Sequence, residues 1–421
     1  MNTLMTRMAA ASKADVKGKE VTVDSDIEFD TGAFNEYNAD VAIYETAVKQ
    51  LGDLEEHVSL IAASIEADGT GLTPEAAIFA QAQFKSIMSN LDTEENAEVA
   101  TTELYAGFEG MDLDDSAAVT TKLVSGVTDF LVNLWEMVKK LLSDIVAGAK
   151  KMLGFGGGTG GKMVAVCDKA KDLAEKITKQ AESISGKTAS KGTIEDEATA
   201  TKLESADYGL TNVTTFVKAV ADTMDELSKV TSDAEKADLD KGPAEVKNAT
   251  QAGITKIINA SSKDMNVLLY GGKKITVIGN TDAEGVASMS KKVETAPVKK
   301  VSGFKTWTAS DLTTAADKVK DIADLKSTFV DLDKKFTALT DDADSAAEAA
   351  LKDAKKADGD NKDAIDNLKK ANKALSSVLK SVTRVATGLA ASAAQEVTSA
   401  LAVTTKAANS SVAVYKEAKA K

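Results

Sequence analysis

Residues 362–419 read KDAIDNLKKANKALSSVLKSVTRVATGLAASAAQEVTSALAVTTKAANSSVAVYKEAK, without proline and with a single glycine, Gly388. Leu368, Leu375, Leu379, Val382, Leu389, Val397, Leu401 and Val412 recur at helical spacing. Alanine fills the intervals, and alanine favours the helix more than any other residue. The stretch therefore predicts one helix, ~85 Å long at 1.5 Å per residue. A helix of that length decides the fold class. The chain reads as mainly α: an elongated helical bundle with coiled-coil-like hairpins and one small β-hairpin.

Composition agrees. Of 421 residues, 68 are alanine, three are proline and two are tryptophan, and aromatics make up only 5%. Apolar residues reach 43%, enough for packing between elements but diluted by small side chains. A single cysteine, Cys167, precludes an internal disulfide. Cys167 and the single histidine, His57, are too few for a four-ligand structural zinc site. No apolar run reaches the ~18 residues of a membrane-spanning helix, and residues 1–10 lack the apolar core of a secretory signal.

The formal charge of −14 is unevenly placed. Residues 1–115 hold 24 acids against 6 basic residues, a net −18, and the remainder carries +4. An acidic head is thus joined to a body that does not repel polyanions. Working outward from the last helix, residues 1–37 read as a loosely ordered acidic start. Residues 38–115 read as an acidic helical hairpin, with Thr73 and Pro74 opening its second helix. Residues 116–155 form an amphipathic helix with Val127, Phe130, Leu131, Leu134, Trp135, Val138, Leu141 and Ile145 on its apolar side. That side is a face for partner helices or, with charges interspersed, for a membrane surface.

Residues 156–162 are glycine-rich and read as a linker. Gly156 to Lys162 fits a phosphate-loop spacing, and Gly156, Gly158 and Gly161 fit a dinucleotide spacing. Both need a preceding buried strand, and the phosphate loop needs a hydroxyl after the lysine. A charged helix precedes the glycines and Met163 follows the lysine, so neither context holds. Residues 163–300 read as helices at 163–185, 196–235 and 244–260, followed by a β-hairpin at 266–279 turning on Gly271 and Gly272. Residues 301–421 read as a long helical hairpin, its first helix capped by Ser310 and striped by Leu325, Phe329, Leu332, Phe336 and Leu339. Between its arms, residues 358–363 lack the glycine that a calcium loop wants at its sixth position, and read as a solvated turn.

No catalytic residue, cofactor site or metal site emerges. His57 has no nucleophile elbow near it. With Arg7 and Arg384 the only arginines, base readout is disfavoured. Weak, non-specific DNA contact through lysines remains open.

Several stretches carry a resemblance. A helical hairpin is followed by Gly107-Phe108-Glu109-Gly110, then by Phe130-Leu131-Val132-Asn133-Leu134-Trp135-Glu136. A glycine segment and a short hairpin lead to Ala296-Pro297-Val298 and Trp307-Thr308-Ala309-Ser310, and then to long helices ending near Ser411-Val412-Ala413-Val414-Tyr415. Over residues 38–421 this layout resembles the internal head proteins of giant tailed bacteriophages. The resemblance implies a non-enzymatic virion protein made in the host cytoplasm, packaged inside the capsid and ejected with the DNA. It implies as partners other head proteins or further copies of itself, and the host membrane on ejection. It also implies trimming by the prohead protease, after a Glu preceded two positions earlier by a small residue. Gly107-Phe108-Glu109 fits that pattern, and Ser64-Ile65-Glu66 fits it less well placed. Cutting after Glu109 removes a net −15 and leaves about +1. Two other readings stay open: a membrane-active, channel-forming ejection protein, and a tail or tape-measure-like component.

Overall fold

The computed structural model describes residues 146–417, apart from 148–149, 152, 206–209, 282–286, 298–299 and 357–361. Nearly all of these residues lie in one compact unit running from Gly148 onward.

Helix α1 (Gly161–Ile184) buries Met163, Cys167, Ala170, Leu173, Ala174, Ile177 and Ala181, every third or fourth residue, and packs chiefly on α5 (Ala309–Ala323). A two-residue strand β1 (Thr193–Ile194) and the short α2 (Glu197–Ser205) precede α3 (Leu210–Glu235). Helix α3 buries Val213, Phe216, Val217, Val220, Met224, Leu227 and Val230. Helix α4 (Pro243–Ala260) opens with proline at its first position, where no intrahelical donor is lost. It runs into a wide turn, Ser261–Met265. Strands β2 (Lys273–Thr281) and β3 (Ala287–Thr295) pair antiparallel, from Lys273↔Thr295 to Thr281↔Ala287. Strand β4 (Phe304–Lys305) pairs with β1. Helices α6 (Lys326–Lys356) and α7 (Lys362–Glu417) follow α5.

Helix α7 is the axis of the unit. It packs against α6, α3, α4 and β3, and from Ala374 to Tyr415 only Lys406 is exposed. A helix surrounded in this way needs small side chains so that neighbours can approach closely. Ala386, Ala390, Ala391, Ala393, Ala394, Ala400, Ala407 and Ala408 supply them, all buried. The alanine content therefore builds a packed core around one helix.

Burial takes most hydroxyls of α7 out of water between Ser381 and Thr405, and most of these turn back on the helix itself. Thr383 donates to the Leu379 carbonyl at 3.1 Å, Thr387 to Thr383 at 2.8 Å, Ser392 to Gly388 at 2.8 Å, Thr398 to Ala394 at 3.0 Å and Thr405 to Leu401 at 2.7 Å.

Several element boundaries differ from the sequence reading. The hairpin is not at 266–279: its strands are 273–281 and 287–295. Gly271 and Gly272, at φ 81° and 73°, close a tight turn from Leu269 into β2, and only the bridge Leu269↔Lys273 precedes it. The true partner strand is polar except for Ala287, Met289 and Val293, because much of it lies open or reaches α7 through lysine, so its alternation is faint. The β1–β4 pair has two residues per strand, too few for a pattern. Residues 196–235 form two helices, and the run from 311 breaks at Asp324-Leu325. The cap of α5 is Thr308, not Ser310. Thr308 Oγ1 accepts from the Asp311 amide at 3.2 Å, and the Asp311 carboxylate accepts from the Thr308 amide at 2.8 Å.

Candidate functional site

Three arrangements concentrate polar chemistry in the folded unit. The first is at the glycine segment, which is a closed loop rather than free chain. Gly154, Gly156, Gly158, Gly160 and Gly161 all have positive φ, turning successive amides inward. Gly156 N–H donates to Asp333 Oδ1 at 2.8 Å, while Thr159 and Gly160 N–H donate to Oδ2 at 3.0 and 3.1 Å. Thr337 Oγ1 donates to Oδ1 at 3.3 Å. Asp333 is fully buried, and Phe155 meets Phe336 edge-on beside it, ring centres 5.8 Å apart. A Cβ at Gly160 would stand 2.6 Å from Val164 Cγ2 and 2.9 Å from the Val330 amide, so this corner tolerates no side chain. The sequence reading made this segment a linker, yet its amides converge on one acceptor. The anion it holds is a carboxylate from α6.

The second arrangement ties the hairpin to α7. Glu396 is buried, and Lys273 reaches it at 3.3 Å from the start of β2. Lys291 of β3 donates to Ser392 Oγ at 3.0 Å and lies across Gly388, where a Cβ would stand 3.2 Å from its Cδ. A buried carboxylate needs a cation, and the hairpin brings one.

The third closes the C-terminal end of α7. Lys406 pairs with Asp196 at 2.8 Å, and Gln180 Nε2 donates to Asn409 Oδ1 at 2.9 Å. The Trp307 amide donates to Ser411 Oγ at 3.0 Å, and Ser190 Oγ donates to the Val414 carbonyl at 2.9 Å. Asp196 also caps α2, accepting from the Thr199 amide at 3.0 Å. Burial would raise the Asp196 carboxyl, but hydrogen bonds from Lys406 and Thr199 outweigh it and hold the group below its ordinary value.

Cys167 is buried, and desolvation pushes its thiol up to about 12, so it is a packing residue. Burial likewise raises the Tyr270 hydroxyl above its ordinary value. Among the described residues no cluster of three potential metal ligands occurs, and no helix is long and apolar enough to cross a membrane.

The sequence-derived residues fall elsewhere. Gly107, Phe108 and Glu109, the weaker Ser64, Ile65 and Glu66, the apolar face from Val127 to Ile145, and His57 all lie outside the described residues. What sequence reasoning missed was Asp333. An aspartate on α6 flanked by Leu332 and Lys334 carries no local signal of burial, since its partners lie more than 170 residues away.

These parts, from the glycine loop to the axial helix, occupy residues 154–417, and one family model extends over nearly all of them and over most of the chain before them. The model of phiKZ-like phage internal head proteins matches residues 11–413. The chain belongs to that family. No curated protein and no solved structure matches it. As a phiKZ-like internal head protein it has a structural role in the virion, inside the head. The match spans both the acidic first quarter and the folded unit, so both parts belong to the internal head protein.

Proposed function

We propose that this internal head protein is non-enzymatic cargo of the phage head, acting through association with other head proteins and copies of itself. The family match over residues 11–413 carries this reading. Two details of the fold support the non-enzymatic part. The Asp333 carboxylate is already engaged by the Gly156, Thr159 and Gly160 amides, and the Cys167 thiol is sealed and raised by burial.

Maturation belongs to the same proposal. Cleavage by the prohead protease after Glu109 would discard the acidic segment as DNA fills the head, leaving a body near neutrality that packs beside a polyanion without repulsion. Weak lysine contact with the packaged DNA and exit with that DNA complete the reading. Mass spectrometry of purified virions tests it. The expected result is this chain in the head with an N-terminus near Gly110. Intact chains alone would end the maturation claim, and absence from the head would end the cargo claim.

A further inference from the structure

Strand β3 has one edge on β2 and one edge without a strand partner among the described residues. Which backbone groups face the open edge follows from the register. The Val277 amide donates away from β3, to Ser261 Oγ, and the Lys273 carbonyl accepts from Leu269 on that same outer side of β2. Lys273↔Thr295, Ile275↔Val293 and Val277↔Lys291 are therefore the pairs that exchange no ladder bonds. The Gly272 carbonyl accepting from the Ala296 amide confirms the alternation. In such pairs both residues aim their N–H and C=O outward, so Val293 and Thr295 present theirs to the open edge.

Val293 is also the one large apolar side chain exposed among the described residues, at 46%. Lys292 and Glu294 flank it, both exposed and paired with each other at 2.6 Å. An exposed edge carrying an apolar residue is a template for strand addition. Lysine ordinarily discourages such pairing, but here a glutamate stands symmetrically across the valine from the lysine.

We infer that the outer edge of β3 pairs antiparallel with the same edge of a second copy of this chain, about a two-fold axis through Val293. In that arrangement the two valines exchange both backbone hydrogen bonds and cover each other. Lys292 of each copy stands directly opposite Glu294 of the other, and Lys291 stands opposite Thr295. A two-fold interface requires such self-complementarity, residue by residue, and directly opposed opposite charges favour the pairing. The few residues involved bury less than the ~1,200 Å² of a lasting dimer, so the contact suits a crowded interior. The inference deepens the proposed role by naming one self-contact, and rests on that role only for where the contact operates.

Sedimentation velocity of the full chain over a concentration series, at low salt, is the test. The intact chain is expected to self-associate. Glu294→Lys, which sets lysine against lysine at both ends of the axis, is expected to weaken association about tenfold or more, and Lys292→Glu with Glu294→Lys together to restore most of it. Val293→Cys under mild oxidation is expected to give a disulfide-linked dimer, because opposed residues there lie within disulfide reach. A chain that stays monomeric throughout overturns the inference, as does association indifferent to Glu294→Lys or a double variant as weak as the single. These results are independent of virion content, so loss of the pairing leaves the head role standing, and absence from the head leaves the pairing intact.

Discussion

Asp333 shows how one side chain can organise a loop. Its carboxylate accepts from three inward-turned amides, which would otherwise be stranded in the interior. Asp333→Ala is expected to lower stability by about 3 kcal/mol in denaturant unfolding; a loss under ~1 kcal/mol would show that the loop finds other acceptors. Asp196 makes a pH-dependent contribution. Its carboxyl is held below the ordinary 3.8, so the stability it supplies is present above that value and lost as pH falls through the lowered one. Thermal melts of Asp196→Asn against the parent should therefore differ most near neutrality and converge under strong acid. A gap that widens on acidification would contradict the sign. Cys167, whose thiol is raised to about 12 by burial, should react with a disulfide reagent only on unfolding, so a stoichiometric reaction in native buffer would refute its packing role.

Elements are legible in sequence where a stripe is long and local. Phe329, Leu332, Phe336 and Leu339 marked α6, all of them buried, and the run from 362 marked α7 almost to its last residue. The hairpin was displaced because Ile275 and Val277 do lie on a strand, while their partners Val293 and Lys291 are exposed or polar. Pairing across such a strand is fixed by tertiary contact with α7, and no local pattern records it. The glycine loop reads as a linker because its partner Asp333 is distant in sequence. Alanine misled in a different way: it reads as dilution of a core, yet around α7 it is the core. Ala394→Leu, which inserts bulk where every neighbour is already in contact, should cost roughly 1–3 kcal/mol in thermal or denaturant unfolding. A neutral outcome would mean the layers around α7 can move apart freely.

Across the whole molecule, charge and packing are divided. The acid excess sits in residues 1–115, and the remainder carries +4. A chain beginning at Gly110 should therefore be retained by duplex DNA at low ionic strength more than the full chain, and both should be released as salt shortens electrostatic reach to ~8 Å. Equal retention by both forms would detach the acidic segment from any role in tolerating DNA. The hydroxyls of α7 carry a further consequence. Because Thr383, Thr387, Ser392, Thr398 and Thr405 bond to carbonyls of their own helix, those bonds travel with it. Separation from the surrounding layers strands none of these groups, and 56 residues far exceed the length at which alanine-rich helices begin to persist alone. The axis of this protein thus carries the hydrogen bonds of these five hydroxyls within itself, whatever layers surround it.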